Sequence, residues 1–188
     1  MELLQAIKER RTIRKFKSDP VPKELLEKLI KNSMWAPSAM NMQPWKFYVF
    51  TEDARQGLIS VAEGCLDQLD SRMDKMFDGP MKNMIRGYFK DFGGAPAIVV
   101  VVSSLPAEAV YQKASLYAAC AAMQNLMLLA HEAGLGTCWM MGPLWVEADI
   151  INYLNCPGWG LVGITPIGWP EQTPPAPPRK EEKIEWRD

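Results

Sequence analysis

Apolar positions recur at helical spacing from the start of the chain. Leu3, Leu4 and Ile7 form one face of a short opening helix, and Leu25, Leu26, Leu29 and Ile30 repeat the pattern between Pro22 and Met34. Pro22 is expected in the first helical turn, where its missing N–H does no harm. Pro37 and Pro44 then break the periodicity; Trp45 to Phe50 reads as a strand, and Glu52 to about Leu69 as a helix. Pro96 to Val102 is a β-branched apolar run between turn residues, as a strand buried on both faces of a sheet would be. A long Ala-rich helix is predicted from about Tyr111 to Ala133, ended by Gly134, whose missing Cβ suits the left-handed position after a helix. Its small side chains allow another helix to approach closely. A helix from about Val146 to Leu154 and an apolar strand from Gly160 to Ile167 complete the pattern.

Two stretches depart from it. Residues 64–94 mix charges with Met73, Met76, Phe77, Met81, Met84, Tyr88, Phe89 and Phe92, are interrupted at Gly79-Pro80 and close at Gly93-Gly94. They read as short helices forming a mobile excursion rather than core. Six prolines from Pro166 to Pro178 enforce an extended arm, residues 169–188, that cannot pack on its own chain as helix or central strand. No repeat is present. With 188 residues, a single domain (1–188) burying about 70% of its unfolded surface is expected.

Composition narrows the classes of function. Lys and Arg total 21 against 22 Asp and Glu, so no global field draws in nucleic acid or an anionic membrane. The opening helix lacks the basic and apolar regions of a signal peptide. The longest uncharged stretch, Ala114 to Ala130, is too short and polar to span a bilayer. A cytoplasmic protein with no membrane and no nucleic-acid partner is expected. Cys65, Cys120, Cys138 and Cys156 are scattered without zinc or disulfide spacing, so reduced thiols and no metal site are expected.

Three constellations bear chemistry. Residues 8–17 carry Lys8, Arg10, Arg11, Arg14, Lys15 and Lys17 against Glu9 alone, with the Thr12 hydroxyl between the arginines. Such a cluster suits a phosphate, or equally a solvated helix end favoured by the macrodipole. Ala36-Pro-Ser-Ala-Met-Asn-Met-Gln-Pro-Trp45 sets Ser38, Asn41 and Gln43 in a loop ahead of a strand. These neutral groups suit a heteroaromatic edge, or their own backbone. Gly134-Leu-Gly-Thr-Cys-Trp-Met-Met-Gly142 follows a helix and lacks a third glycine, so it is no dinucleotide fingerprint; its flexible backbone suits a planar ligand or core packing. His131 reads as structural, Glu181-Glu182 as a solvated tail, and no nucleophile–base set can be assembled. Phosphate-binding features without catalytic side chains point to a cofactor that does the chemistry.

Taken in order, Arg10-Arg-Thr-Ile-Arg14, the 36–45 loop, Gly134-Leu-Gly-Thr-Cys-Trp, and Pro166-Ile-Gly-Trp-Pro170 followed by Arg179 resemble the FMN-dependent nitroreductase family over nearly the whole chain. The resemblance implies an α+β fold with a central, mostly antiparallel sheet flanked by helices. It further implies an intertwined homodimer whose C-terminal arm lies on the partner, and FMN bound between the two chains. By the same resemblance Arg10, Arg11, Thr12 and Arg179 contact the phosphate and ribityl end, Arg14 lies near flavin N1 and O2, Pro37, Ser38, Ala39 and Asn41 of the partner chain lie against the ring, and Met141-Gly142 runs near N5 and O4. Residues 64–94 match the family's variable excursion over the active site, where Arg72 and Lys75 are candidates for a second cation. The implied reaction is ping-pong: hydride from NADH or NADPH to the flavin, then to a nitroaromatic, quinone or related small acceptor, with no side chain as nucleophile. Related chemistries in the superfamily are deiodination, ring dehydrogenation and flavin fragmentation. A different class of function is a PxxP ligand, Pro174-Pro-Ala-Pro-Pro-Arg179, for a proline-reading domain.

Overall fold

In chain order the computed structural model contains α1 (Leu3–Glu9), α2 (Lys23–Ser33), β1 (Trp45–Thr51), α3 (Ala54–Glu63), α4 (Cys65–Met76), α5 (Gly79–Phe89), β2 (Ala97–Ser104), α6 (Ala109–Glu132), β3 (Gly136–Thr137), α7 (Glu147–Tyr153) and β4 (Trp159–Gly168). It describes residues 1–180 and 183–187; the Glu181-Glu182 pair lies outside them.

The four strands form one sheet in the order β1-β2-β4-β3, with every neighbouring pair antiparallel. The architecture is α+β. β2 lies inside the sheet, and its side chains alternate between two cores. Ala97, Val99 and Val101 pack with α2 and α6 on one face, while Ile98, Val100 and Val102 pack with α3 and α7 on the other. An unbroken β-branched run is what such two-sided burial requires. In β4 the pairing with β2 shifts by one residue at Val162, and this bulge offers the Val162 carbonyl to the Trp139 indole N–H at 3.1 Å. Gly163 makes room for that indole, since a Cβ there would overlap the ring.

Several sequence expectations are corrected. Pro22 is the N-cap of α2 rather than a first-turn residue. The helix expected from Glu52 to Leu69 is divided at Gly64 into α3 and α4. Residues 64–94 do form short helices, but they are anchored in the core: Cys65, Met73, Phe89 and Phe92 are buried, because the apolar stripes of α4 and α5 face the lower core while their charges face out. Gly136–Thr137 form the short strand β3, unforeseen because two residues carry no periodicity; they pair because β4 runs past them. The alanines of α6 are used within the chain, where Ala118, Ala119 and Ala122 let α2 and β2 approach. What α6 leaves outside is a stripe of Val110, Leu116 and Tyr117.

β1 is an edge strand. Between it and α2 runs a groove of about 720 Å³ lined by Val21, Leu26, Ile30, Phe47 and Val49. No helix among the described residues is long and apolar enough to cross a membrane.

Candidate active site

The segment after α1 is held by backbone hydrogen bonds and by burial of Ile13 and Phe16 against Ala95. The N–H of Ile13 donates to the Thr137 carbonyl at 2.9 Å, that of Phe16 to Gly93 at 3.0 Å, and that of Lys17 to Trp169 at 2.9 Å; the Glu171 N–H returns a bond to Lys15 at 3.0 Å. Residues 12–17 are thus stitched between β3, the turn Phe92–Gly94 and the first residues of the arm. Two glycines make this possible, since a Cβ on Gly136 would overlap Ile13 and one on Gly93 would overlap the Arg14 carbonyl.

This lacing brings the basic cluster together at one end. Burial, followed by the neighbouring charges of Arg11 and Arg179, pulls the half-buried Arg10 guanidinium below its ordinary pKa. Arg179 therefore returns to Arg10 from far along the chain. Thr12 makes a bridge with Thr137 beside them. Arg11 also closes its own helix, its Nη1 donating to the carbonyls of Lys8 and Arg10 at 2.7 Å each. Among the described residues no ion pair involves Arg10, Arg11, Arg14 or Arg179. His131, at the last turn of α6, faces Glu9, Arg10 and Arg11, and burial holds its pKa down.

Arg14 opens into a cleft of about 760 Å³. Met141 and Gly142 line it, and Leu69 of α4, Phe77 between the helices, and Met81, Met84 and Ile85 of α5 form its apolar wall. The fit at Gly142 is close, since a Cβ would stand 3.1 Å from the tip of the Phe89 ring. Arg72 and Lys75 do not line this cleft: the Arg72 guanidinium lies 4.2 Å over the Trp145 ring instead. The cleft's second cation is Lys15. Tyr88, Asp91, Cys138, Trp139 and Gln172 line it too, and of these only Cys138 and Trp139 had a sequence signal, in the Gly134–Gly142 motif. Burial pushes the Cys138 thiol up despite the nearby Arg14 guanidinium.

Pro37, Ser38, Ala39 and Asn41 are not brought to this cleft. Their loop enters β1 at Trp45, which pairs with Ser103, whereas Arg14 lies beside the end of the sheet where Ala97 pairs with Ile167. Six residues of β2 separate the two ends, about 20 Å at strand rise. The loop is tight and outward-facing. Met40, Asn41 and Gln43 all have positive φ, the Ser38 hydroxyl accepts the Gln43 N–H at 3.0 Å, and the Gln43 amide donates to Asn41 at 3.2 Å. Met40 is 76% exposed. Among the described residues no group of His, Cys, Asp and Glu is placed to hold a metal ion.

Comparison with known proteins follows from this geometry. The profile of the Nitroreductase family matches residues 7–169. The iodotyrosine deiodinase of Thermotoga neapolitana is 29% identical, over 95% of this chain and 94% of its own. A nitroreductase-like family protein from Bacillus cereus superposes with a TM-score of 0.81 at 27% identity, covering 100% of this chain and 97% of that one. An oxidized iodotyrosine deiodinase bound to FMN and 3-iodo-L-tyrosine superposes at 0.79 with 26% identity, covering 100% of each.

Proposed function

The chain belongs to the nitroreductase family, and from that membership we propose that it is an FMN-dependent oxidoreductase, using NADH or NADPH to reduce a nitroaromatic, quinone or related acceptor as an intertwined homodimer. The observation that carries this reading is the gathering of Arg10, Arg11 and Arg179 without a carboxylate paired to them among the described residues, next to an apolar cleft that holds Arg14. Like charges held together repel until an anion joins them, and guanidinium forks match phosphate oxygens.

These residues fit FMN. FMN, held there, would supply two-electron redox chemistry between a nicotinamide donor and the acceptor. The chain's own groups do the rest. Arg10, Arg11, Thr12 and Arg179 hold the phosphate end. Arg14 sets a fixed positive charge where negative charge grows on reduction, favouring the reduced state. Met141 and Gly142 give backbone along the ring edge, and the wall from Leu69 to Ile85 keeps water from the reacting face.

Two features support a second copy in the site. The loop Pro37–Asn41, about 20 Å from Arg14 along its own sheet, reaches such a ring only from a partner. The accessible surface, 11657 Å², also exceeds the roughly 9,100 Å² expected for a monomer of 21.2 kDa. Trp35, Tyr117 and Trp186, all exposed, are suited to covering by the partner.

Neutral acceptors are favoured over the amino-acid phenol held by the deiodinase neighbour. Two charge pairs join α4 to α5, Arg86 with Asp70 and Lys82 with Asp74, and what these helices turn to the cleft is thioether, aliphatic and aromatic surface. The first experiment is an absorbance spectrum of the purified protein, followed by anaerobic NADH and then NADPH. Bleaching of a flavin band by either is expected. A bound flavin that neither bleaches moves the reading to deiodination, ring dehydrogenation or flavin fragmentation, and failure to take up FMN ends it.

A further inference from the structure

One polar group in the cleft wall is left unused by the reading above. The Tyr88 hydroxyl is buried and has no hydrogen-bond partner among the described residues. It is not free to turn away. Tyr88 lies in the last turn of α5, its ring stacked on Phe92 with centroids 6.1 Å apart and edge-on to Phe89 at 6.2 Å. Phenylalanine would keep all of this packing and bury no unpaired oxygen, so packing does not account for the hydroxyl. The polar groups around it are the Cys138 thiol, Arg14 and Asp91, and all four residues line the same cleft. Backbone enforces the convergence: Gly93 abuts the Arg14 carbonyl, and the Tyr88 ring edge is 3.3 Å from where a Gly93 Cβ would stand.

Cys138, buried just after β3, lines the cleft together with Arg14 and Tyr88. A carboxylate at this position would grip the guanidinium but cancel its charge. A thiol accepts an N–H and stays neutral, and burial keeps it protonated. We infer that Tyr88 and Cys138 form a neutral seat for the Arg14 guanidinium, the hydroxyl orienting the thiol and the thiol orienting Arg14, so that the cleft keeps an uncancelled positive charge in a fixed place. Tyr88 is a positioning residue, acting through Cys138. The inference rests on the proposal that Arg14 serves a flavin that gains negative charge on reduction.

Two measurements test it. In flavin-free protein, solvent exchange of the Arg14 Nε–H, followed by NMR, reports the seat directly. Tyr88→Phe is expected to speed exchange at least threefold, as is Cys138→Ala, while Cys138→Ser keeps a neutral acceptor and stays near wild type. In FMN-loaded protein, the preference for reduced over oxidised flavin is expected to fall tenfold in Cys138→Asp, a drop of about 30 mV in the two-electron midpoint potential. It is expected to fall about threefold in Tyr88→Phe, at the scale of one weak hydrogen bond, with affinity for oxidised FMN little changed. Arg14 exchange unaltered in Tyr88→Phe, or a potential unaltered in Cys138→Asp, overturns the inference; if Cys138→Asp does not fold, the potential of Tyr88→Phe decides in its place. A wild-type chain that takes no FMN defeats the proposed function, and the exchange measurement still decides whether the seat exists.

Discussion

Gly93 and Arg14 meet through backbone alone: a side chain on Gly93 would overlap the Arg14 carbonyl, and the Phe16 N–H donates to the Gly93 carbonyl two residues further on. The turn before β2 therefore sets the height at which Arg14 enters the cleft. Gly93 also has a φ of +70°. Gly93→Ala combines left-handed strain with that overlap and is expected to destabilise by about 2 kcal/mol or more. Gly134→Ala is the control: its φ is +81°, but the nearest atom to a new Cβ is Trp169 at 3.9 Å, so it should cost about 1 kcal/mol. Thermal melts of both variants check the difference.

Arg10→Ala should separate the phosphate from the ring. Loss of a charge-assisted contact of about 1.5–3 kcal/mol corresponds to roughly 10- to 100-fold weaker FMN binding. Riboflavin, which lacks the phosphate, should bind within about threefold of wild type, well inside that range. Fluorescence titration with both ligands makes the comparison, and equal losses for the two would remove Arg10 from the phosphate site.

Arg14→Ala is expected to act on electrons more than on binding. Removing a preorganised charge from a developing anion slows the step by roughly 100-fold, while oxidised FMN affinity should change far less. Stopped-flow bleaching by NADH or NADPH measures the first and a binding titration the second. An unchanged reduction rate would take Arg14 out of the electronic role.

Stability should fall in alkali. Burial pushes the Cys65 thiol from its ordinary 9.0 up to about 12, so the folded state holds the proton that the unfolded state releases. With folded pKa above unfolded, the stabilisation is complete below pH 9 and is lost as pH rises from about 9 towards about 12. Tyr88 and Cys138, also pushed up by burial, act with the same sign. Denaturant melts across this range should show a falling midpoint, with a shallower slope in Cys65→Ala.

The arm is best cut after Gln172, because Trp169 to Glu171 are bonded to Lys15, Phe16 and Lys17 of their own chain. Deleting residues 173–188 removes Arg179 and should weaken both self-association and FMN binding, read by sedimentation and titration. If neither changes, the proline segment Pro174–Arg179 is better read as a ligand for another protein.

Much of this was legible in one dimension. Ala97 to Val102 declares a two-faced strand by being apolar at every position, and Gly134 marks the end of α6 through the conformation that only glycine adopts cheaply. Arg10 to Arg14 stand out by charge. What the string does not carry is distance. Periodicity and charge do not say that Arg179 comes back to Arg10, which only the family resemblance implied, or that Pro37–Asn41 and Arg14 fall at opposite ends of β2. Tyr88 and Phe89 look like other aromatics of a charged, methionine-rich stretch, and nothing in the string says that both line the cleft or that Tyr88 brings a buried hydroxyl to it. Lys15 was visible as charge, but its place in the cleft depends on isolated backbone bonds to β3, the Phe92–Gly94 turn and the start of the arm, which carry no periodicity.

The open side of β1 makes this edge of the sheet a template for other chains. Val49 is 43% exposed beside unpaired backbone groups, and the groove along α2 offers apolar surface next to them. Such a border accepts any extended segment that meets it, productive or not. The hazard lies in the border itself and not in the stability of the fold behind it, because a strand from another chain finds its hydrogen-bonding groups already laid out. A charge or a proline on that border would blunt it without touching either core, where tighter packing inside the fold would not.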